Sequence, residues 1–376
     1  MYTKMSLSMR TALILAASLF AGVGMAADFN FRGRQYIGLT GFSSFAKSKP
    51  ETPGGLVLTS PEIVTGGKYD ELIVSWNAET PYGTYLRVEA RTIELGRTTP
   101  WFVMGLWSSN TERYPRESVL GQTNEFGKVA TDTLILARPY QVFQIRLTLG
   151  GEFMTKPELK YLGLSFADSK AEPSPLAPNK SAWGKVLPVA EKSQMTYPNG
   201  KELCSPTTVS MVLSYWSQKL DRRDLNRDVP EIAENVFDRN WTGTGNWVFN
   251  TAYAGSFKGM RAYVTRLSDV SELEDWIAQG VPVGLSLCYD KLRGRKSGPS
   301  GHLVTLVGFT EKGEPIINDP GTSENVQKVF SRKNLINAWA YSHNAVYLIY
   351  PEDTDVPKDR FAHWHSWTAR QQYSTR

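Results

Sequence analysis

Between residues 29 and 166 the chain alternates apolar and polar positions with a period of two, interrupted by Gly, Pro, Asn and Asp. In Thr84–Thr92, Leu86, Val88 and Ala90 alternate with Arg87, Glu89 and Arg91. In Gln141–Leu149, Phe143, Ile145, Leu147 and Leu149 alternate with Gln144, Arg146 and Thr148. Successive side chains of a strand point to opposite faces, so this pattern predicts half-buried strands. Leu72–Trp76, Trp101–Trp107, Thr133–Leu136 and Leu159–Phe166 are further candidates. Many short strands separated by turn residues, with no convincing helical period, predict an all-β antiparallel sandwich over residues 27–168.

Residues 169–182 hold Pro173, Pro175 and Pro178 among Lys, Ser, Ala and Asn, which predicts a linker without regular structure. Beyond it the pattern mixes periods. Val209, Val212, Leu213, Trp216 and Leu220 recur at helical spacing after Pro206. Ser271 and Glu274 form a capping-box pair ahead of a helix stopped by Gly280, and Ser331 stands where it would cap a helix reaching Trp339. Strands are predicted at Val281–Tyr289, His302–Phe309, Pro315–Asp319 and Ala345–Tyr350, with Glu311–Glu314 as the turn between the second and third. The fold class is therefore α+β: a helix-and-strand domain over 183–352, preceded by the β-sandwich.

The ends modify this picture. Lys4 and Arg10 precede a short apolar run, Thr11–Val23, and Gly24-Met25-Ala26 has the small-x-small form of a cleavage site. Residues 1–26 thus read as a signal peptide, so the protein is expected to be secreted or periplasmic and not membrane-spanning. No cysteine follows that site, which argues against a lipid anchor. Residues 353–376 read as a disordered, Arg-rich tail; His363 and His365 within it have no acidic or thiol ligand at metal spacing. The formal charge of +5 loses two units with Lys4 and Arg10, and scattered basic residues do not indicate nucleic-acid binding. Neither a cofactor nor a metal is expected. Trp76, Trp101 and Trp107 could stack on sugars, although aromatic strand residues usually belong to the core.

The candidate chemistry centres on Cys204, one of two cysteines, at the start of the first predicted helix. A thiol there meets unpaired amide N–H groups and the positive end of the helix dipole, which favour thiolate. His302 opens one strand and Asp319 closes the next, so the turn between them brings both to the same end. Asn318 and Asp319 face opposite sides, and either side chain type can orient a histidine. Cys288, in an apolar run, is either an inert buried thiol or the partner of Cys204 in a disulfide.

The stretch Gln194-Met195-Thr196-Tyr197-Pro198-Asn199-Gly200-Lys201-Glu202-Leu203-Cys204-Ser205-Pro206 resembles the opening of the bacteriocin-processing-like cysteine peptidases, family thirty-nine of the papain clan. Gly301–Phe309 resembles that family's histidine strand, Ile317-Asn318-Asp319-Pro320 its Asp-Pro segment, and Gly243-Thr244-Gly245-Asn246-Trp247 a loop of its secreted members. The resemblance spans roughly residues 186–351. It implies a papain-like peptidase domain with Cys204 as nucleophile, His302 as base and later acid, and Asp319 as orienter. Gln194 would donate to the oxyanion with the Cys204 N–H, and Gly245, Asn246, Trp247 and Ser205 would line the substrate groove. Ser205 departs from the family, where glycine is usual, and its Cβ is expected either to narrow the approach to Cys204 or to change the loop slightly. The membrane and ATPase regions of transporter-linked members have no counterpart here, so their double-glycine substrates do not carry over.

The implied activity is peptide-bond hydrolysis by an exported cysteine peptidase acting on a peptide, a protein or a cell-wall peptide. One alternative is a papain-like peptidoglycan amidase or endopeptidase. Another is a non-catalytic binding protein in which Cys204 is buried or disulfide-bonded.

Overall fold

In a computed structural model, residues 31–50, 55–152, 155–296, 298 and 300–364 are described. The expected signal segment and His365 lie outside them. The first half consists of strands: β1 (Arg34–Leu39), β2 (Ala46–Ser48), β3 (Leu56–Thr59), β4 (Ile63–Glu79), β5 (Thr84–Glu94), β6 (Arg97–Thr98), β7 (Phe102–Trp107), β8 (Thr123–Asn124), β9 (Gly127–Ala130), β10 (Thr133–Gly151) and β11 (Glu158–Ala167). The period-two pattern is realised in burial. Leu86, Val88, Ala90, Phe143, Ile145, Leu147 and Leu149 all face the core. Glu89, polar by pattern, is buried as well, held at 2.7 and 2.8 Å by the fork of Arg146 and at 3.0 Å by Arg87.

The strands of the first half are joined in one eleven-stranded hydrogen-bonded sheet. The cause is β10. Thr133–Leu136 and Gln141–Leu149 belong to the same 19-residue strand, which pairs first with β4 and β9 and then with β5 and β3. Pro139 lies between the two stretches that the pattern marks as strands, and it falls where the β10–β4 register slips around Tyr140. A proline at such an irregularity forfeits no ladder bond, so the strand runs through it.

The second half contains α1 (Cys204–Leu220), α2 (Val229–Val236), α3 (Trp247–Ser256), β12 (Met260–Arg266), α4 (Val270–Ala278), β13 (Val283–Cys288), α5 (Tyr289–Leu292), β14 (Gly301–Phe309), β15 (Pro315–Asn318), β16 (Gln327–Val329), α6 (Arg332–Trp339) and β17 (Ala345–Pro351). Its strands form an antiparallel sheet in the order β12-β17-β13-β14-β15-β16. Ser331 caps α6 by accepting the Asn334 N–H at 3.1 Å. The β14–β15 turn places Gly313 at φ 77°, a left-handed conformation that glycine adopts without strain. Helices α2, α3 and α5 and strands β12 and β16 have no counterpart in the sequence reading. The capping residue of α4 is Asp269, which accepts the Ser271 N–H at 2.7 Å, whereas Glu274 turns to Trp183 Nε1 at 2.8 Å and Arg332 at 2.6 Å.

The Pro-rich segment has no long element but is fastened to α4. Leu176 N–H donates to Asp269 at 2.9 Å and Asn179 N–H to Glu274 at 2.7 Å. The tail was read as disordered, yet up to Trp364 it is packed. The His363 carbonyl accepts the Tyr36 N–H at 2.7 Å, and the buried His363 ring bonds Thr265 at 3.0 Å. Apolar Phe361 and Trp364 supply burial that the Arg-rich composition obscured.

The two halves share a buried junction. Asn77 of β4 donates to the Ala262 carbonyl at 2.7 Å and accepts its N–H at 3.1 Å, while Ser75 accepts the Val264 N–H at 3.0 Å. These side chains satisfy the backbone of β12, the edge strand of the second sheet. Phe249 of α3 packs with Trp76 and Trp107 at centroid distances of 6.1 and 5.6 Å. Those two tryptophans are therefore core; Trp101 instead carries Arg91 and Arg146 at 4.5 and 4.4 Å. Asp132 accepts the Trp247 N–H at the first residue of α3, at 2.7 Å. Burial pushes its carboxyl up to about 7 despite that bond. Among the described residues no helix is long and apolar enough to cross a membrane.

Candidate active site

Two 3-10 turns, Gln194–Thr196 and Gly200–Glu202, lead the chain into α1. Glycine is required at 200, since a Cβ there would sit 2.2 Å from the Gln194 carbonyl oxygen. Cys204 then becomes the first residue of α1, and Pro206 falls in the opening turn, where its missing N–H breaks no helical bond. The sulfur is approached by the His302 side chain and by the N–H groups of Leu303 and Ser205. Burial alone would raise the Cys204 pKa; the bond and charge of His302 and those N–H groups overcome it and lower the value.

His302, the second residue of β14, is buried, as is Asp319 just after β15. Nε2 of His302 lies 2.9 Å from Oδ1 of Asp319, which leaves Nδ1 for the sulfur. The alternation between Asn318 and Asp319 is resolved by their partners. Asn318 donates to the Val189 carbonyl at 3.2 Å and accepts from Gln327 at 3.0 Å, away from the imidazole. Burial by itself would lower the His302 pKa, but the Asp319 bond and the contact and charge of Cys204 raise it to about 9. Asp319 is lowered: burial pushes up, and the His302 bond and charge, the Tyr289 hydroxyl and the Gly321 N–H together pull down further. All three directions favour an anionic sulfur beside a cationic ring.

Gln194 is buried next to this group, its backbone N–H on the Pro320 carbonyl at 3.0 Å. One side-chain N–H donates to the Gly200 carbonyl at 2.7 Å. The amide carries a second N–H.

Two expected groove residues are instead structural. Ser205 is fully buried and its hydroxyl bonds the Tyr347 hydroxyl at 2.8 Å, so its Cβ enters the core and does not narrow the approach to Cys204. Asn246 is fully buried as the cap of α3, accepting the Phe249 N–H at 3.3 Å and donating to Asp238 at 2.8 Å. Gly245 and Trp247 are half-buried. Their loop stands against the turn that leads to Cys204, since the Thr244 hydroxyl donates to the Glu202 carbonyl at 2.6 Å. Trp241, exposed, lies over this loop; a Cβ on Gly243 or Gly245 would meet its ring at 2.8 or 3.0 Å.

Sequence reasoning missed Tyr289, whose hydroxyl donates to Oδ2 of Asp319 at 2.8 Å. Only the assembled sheet places it: Leu287 pairs with His302, and Tyr289, two residues further along, opens α5 beside that histidine. Cys288, next to Leu287 in β13, belongs to the opposite face; it is buried, and both cysteines are free thiols. Among the described residues no group of three His, Cys, Asp or Glu side chains is placed to hold a metal.

Two protein-family models match the chain: the peptidase C39 N-terminal domain over residues 56–167, and the C39-like peptidase family over residues 186–347. The first half is thus similar to an accessory domain of such peptidases and the second to a C39-like domain. The division between these C39-like regions falls within the Pro-rich segment and the start of the second half. A solved C39-like peptidase from Bacillus anthracis is similar at 16% identity, covering 44% of this chain and 96% of its own, with a TM-score of 0.34. That likeness is too distant to bear on the fold. No curated protein sequence matches the chain.

Proposed function

We propose that this C39-like chain is an exported cysteine peptidase that hydrolyses peptide bonds through Cys204. The observation that supports this best is the position of His302, with Nε2 on Asp319 at 2.9 Å and the rest of its ring turned to the sulfur at the start of α1. The Cys204 thiolate attacks the peptide carbonyl carbon, and the carbonyl electron pair moves to oxygen. The second N–H of Gln194 and the N–H of Cys204 receive that oxyanion; losing one such donor typically costs about a hundredfold or more in rate. The His302 imidazolium protonates the leaving nitrogen, the C–N bond breaks, and a thioester remains. His302 then takes a proton from water, the resulting hydroxide attacks the thioester, and the acid product and the Cys204 thiolate are released. Asp319 keeps the ring oriented and stabilises its cationic form. The loop of Gly245 and Trp247, with exposed Trp241 over it, forms one wall of the groove, and Asn246 braces that wall from inside.

Export rests on the N-terminal pattern alone, and the substrate is a peptide, a protein or a cell-wall peptide. The test is to incubate reduced protein, freed of residues 1–26, with a peptide library and with purified sacculi. Hydrolysis by the wild type, its loss in Cys204→Ala with unchanged melting, and faster iodoacetamide labelling of Cys204 than of Cys288 are expected. Equally slow labelling of both thiols, or full activity in Cys204→Ala, overturns the reading. Released muropeptides would assign a cell-wall substrate; cleaved peptides with intact sacculi would exclude it.

A further inference from the structure

Tyr289 touches both partners of the candidate site that do not form covalent bonds. Its hydroxyl donates to Oδ2 of Asp319 at 2.8 Å, while Oδ1 serves His302 Nε2 and the Gly321 N–H, each at 2.9 Å. With one oxygen held by Tyr289 and the other by two donors, the carboxylate cannot rotate without breaking a bond. The same tyrosine packs on the base itself: its ring centroid is 4.1 Å from that of His302, tilted by 39°. Arg293 lies over the Tyr289 ring at 3.8 Å and is itself tied to Asp290 at 2.7 Å. Gly321 closes the remaining side. A Cβ there would lie 3.0 Å from the Tyr289 hydroxyl and 3.1 Å from Cε1 and Nε2 of His302. Asp319 is 1% exposed and His302 5%, so the bond between them is buried. A carboxylate shielded from water holds its partner more strongly than one that is solvated.

We propose that Tyr289 is a positioning residue for the reacting pair, fixing the Asp319 carboxylate toward His302 and covering the imidazole face against water. This rests on the reading of Cys204 and His302 as that pair. Its hydroxyl is suited to a fixed donor role because burial, and the charge and bond of Asp319, raise its pKa and keep the proton on oxygen. Tyr289 acts through Asp319 and His302. Arg293 restrains the ring from outside, so the short helix α5 is the support on which the orienting bond depends.

The experiment compares Tyr289→Phe and Tyr289→Leu with the wild type, reading the rate of Cys204 alkylation by iodoacetamide against pH and, separately, kcat and KM for a cleaved peptide. Alkylation needs no peptidase activity, so it tests Tyr289 even if the proposed hydrolysis fails. Tyr289→Phe keeps the ring and should move the alkylation midpoint upward, toward the ordinary thiol value of about 8.5. It should lower kcat on the order of 10- to 100-fold with KM unchanged, as for a reacting group displaced by up to about 1 Å. Tyr289→Leu, which also uncovers the imidazole, should shift further. If Leu does not fold, Phe alone decides. A shifted midpoint with no peptide cleaved would remove the peptidase reading and leave the positioning role. A Tyr289→Phe protein with the wild-type midpoint and wild-type kcat overturns the proposal.

Discussion

His302 keeps its proton to higher pH than an ordinary histidine, although burial works against it, because Asp319 and Cys204 both favour the cation. The consequences for pH follow from the two directions. A base raised from the usual value of about 6.5 to about 9 holds its charge below that range and loses it as pH rises through 9. The Cys204 thiolate, being lowered, is present above its own depressed value and lost as pH falls through it. The ion pair therefore occupies the window between them, and the two titrations belong to the pair rather than to either residue. We predict that kcat/KM is bell-shaped, with its basic limb near 9; a plateau extending to pH 10.5 would contradict the assignment of His302 as the proton donor. The order of Cys204, His302 and Asp319 along the chain was legible, because each stands at an element end that the pattern exposes. What the sequence left open was which way Asn318 or Asp319 turns, and that depended on Val189 and Gln327 claiming the amide.

At the scale of elements, the helix cap of α4 shows how a local motif yields to its surroundings. Ser271 and Glu274 satisfy the capping-box spacing, yet Glu274 is drawn away by Trp183, Asn179 and Arg332. Asp269 caps instead, and its second oxygen also receives the Leu176 N–H of the Pro-rich segment. Asp269→Ala should cost about 1–2 kcal/mol, as expected for a lost helix cap. Ser271→Ala loses only the hydroxyl bond to the Leu176 carbonyl, which corresponds to about 1 kcal/mol or less. Urea unfolding of the two variants checks this, and a larger loss for Ser271→Ala would assign the cap to Ser271. Helix α3 escaped the sequence for a different reason. Every residue from Val248 to Gly255 is buried, so no polar stripe marks a helical period. A helix enclosed on all sides is visible only once its neighbours are in place.

For the molecule as a whole, the β half is built into the peptidase-like half. Phe249 packs against both Trp76 and Trp107, and Asn77 and Ser75 satisfy the edge of β12. Phe249→Ala should cost about 3–5 kcal/mol, the range for removing a buried aromatic ring. Because that ring joins the halves, the loss should also split one calorimetric transition into two. A single transition at the wild-type temperature would mean that the halves are not coupled through this contact.

The sequence by itself determined the strand-rich first half, the mixed second half and the chain order of Cys204, His302 and Asp319. Each of these depends on periodicity or on turn residues, which act locally and are written in consecutive positions. Only the tertiary structure decided the roles of Ser205 and Asn246, the continuity of β10 through Pro139, the packing of the tail up to Trp364 and the place of Tyr289. These depend on partners distant in the chain: Tyr347 for Ser205, Asp238 for Asn246, β4 and β5 for β10, Tyr36 for the tail and Asp319 for Tyr289. Burial and hydrogen-bond satisfaction are properties of the assembled surroundings, so no local pattern could have carried them.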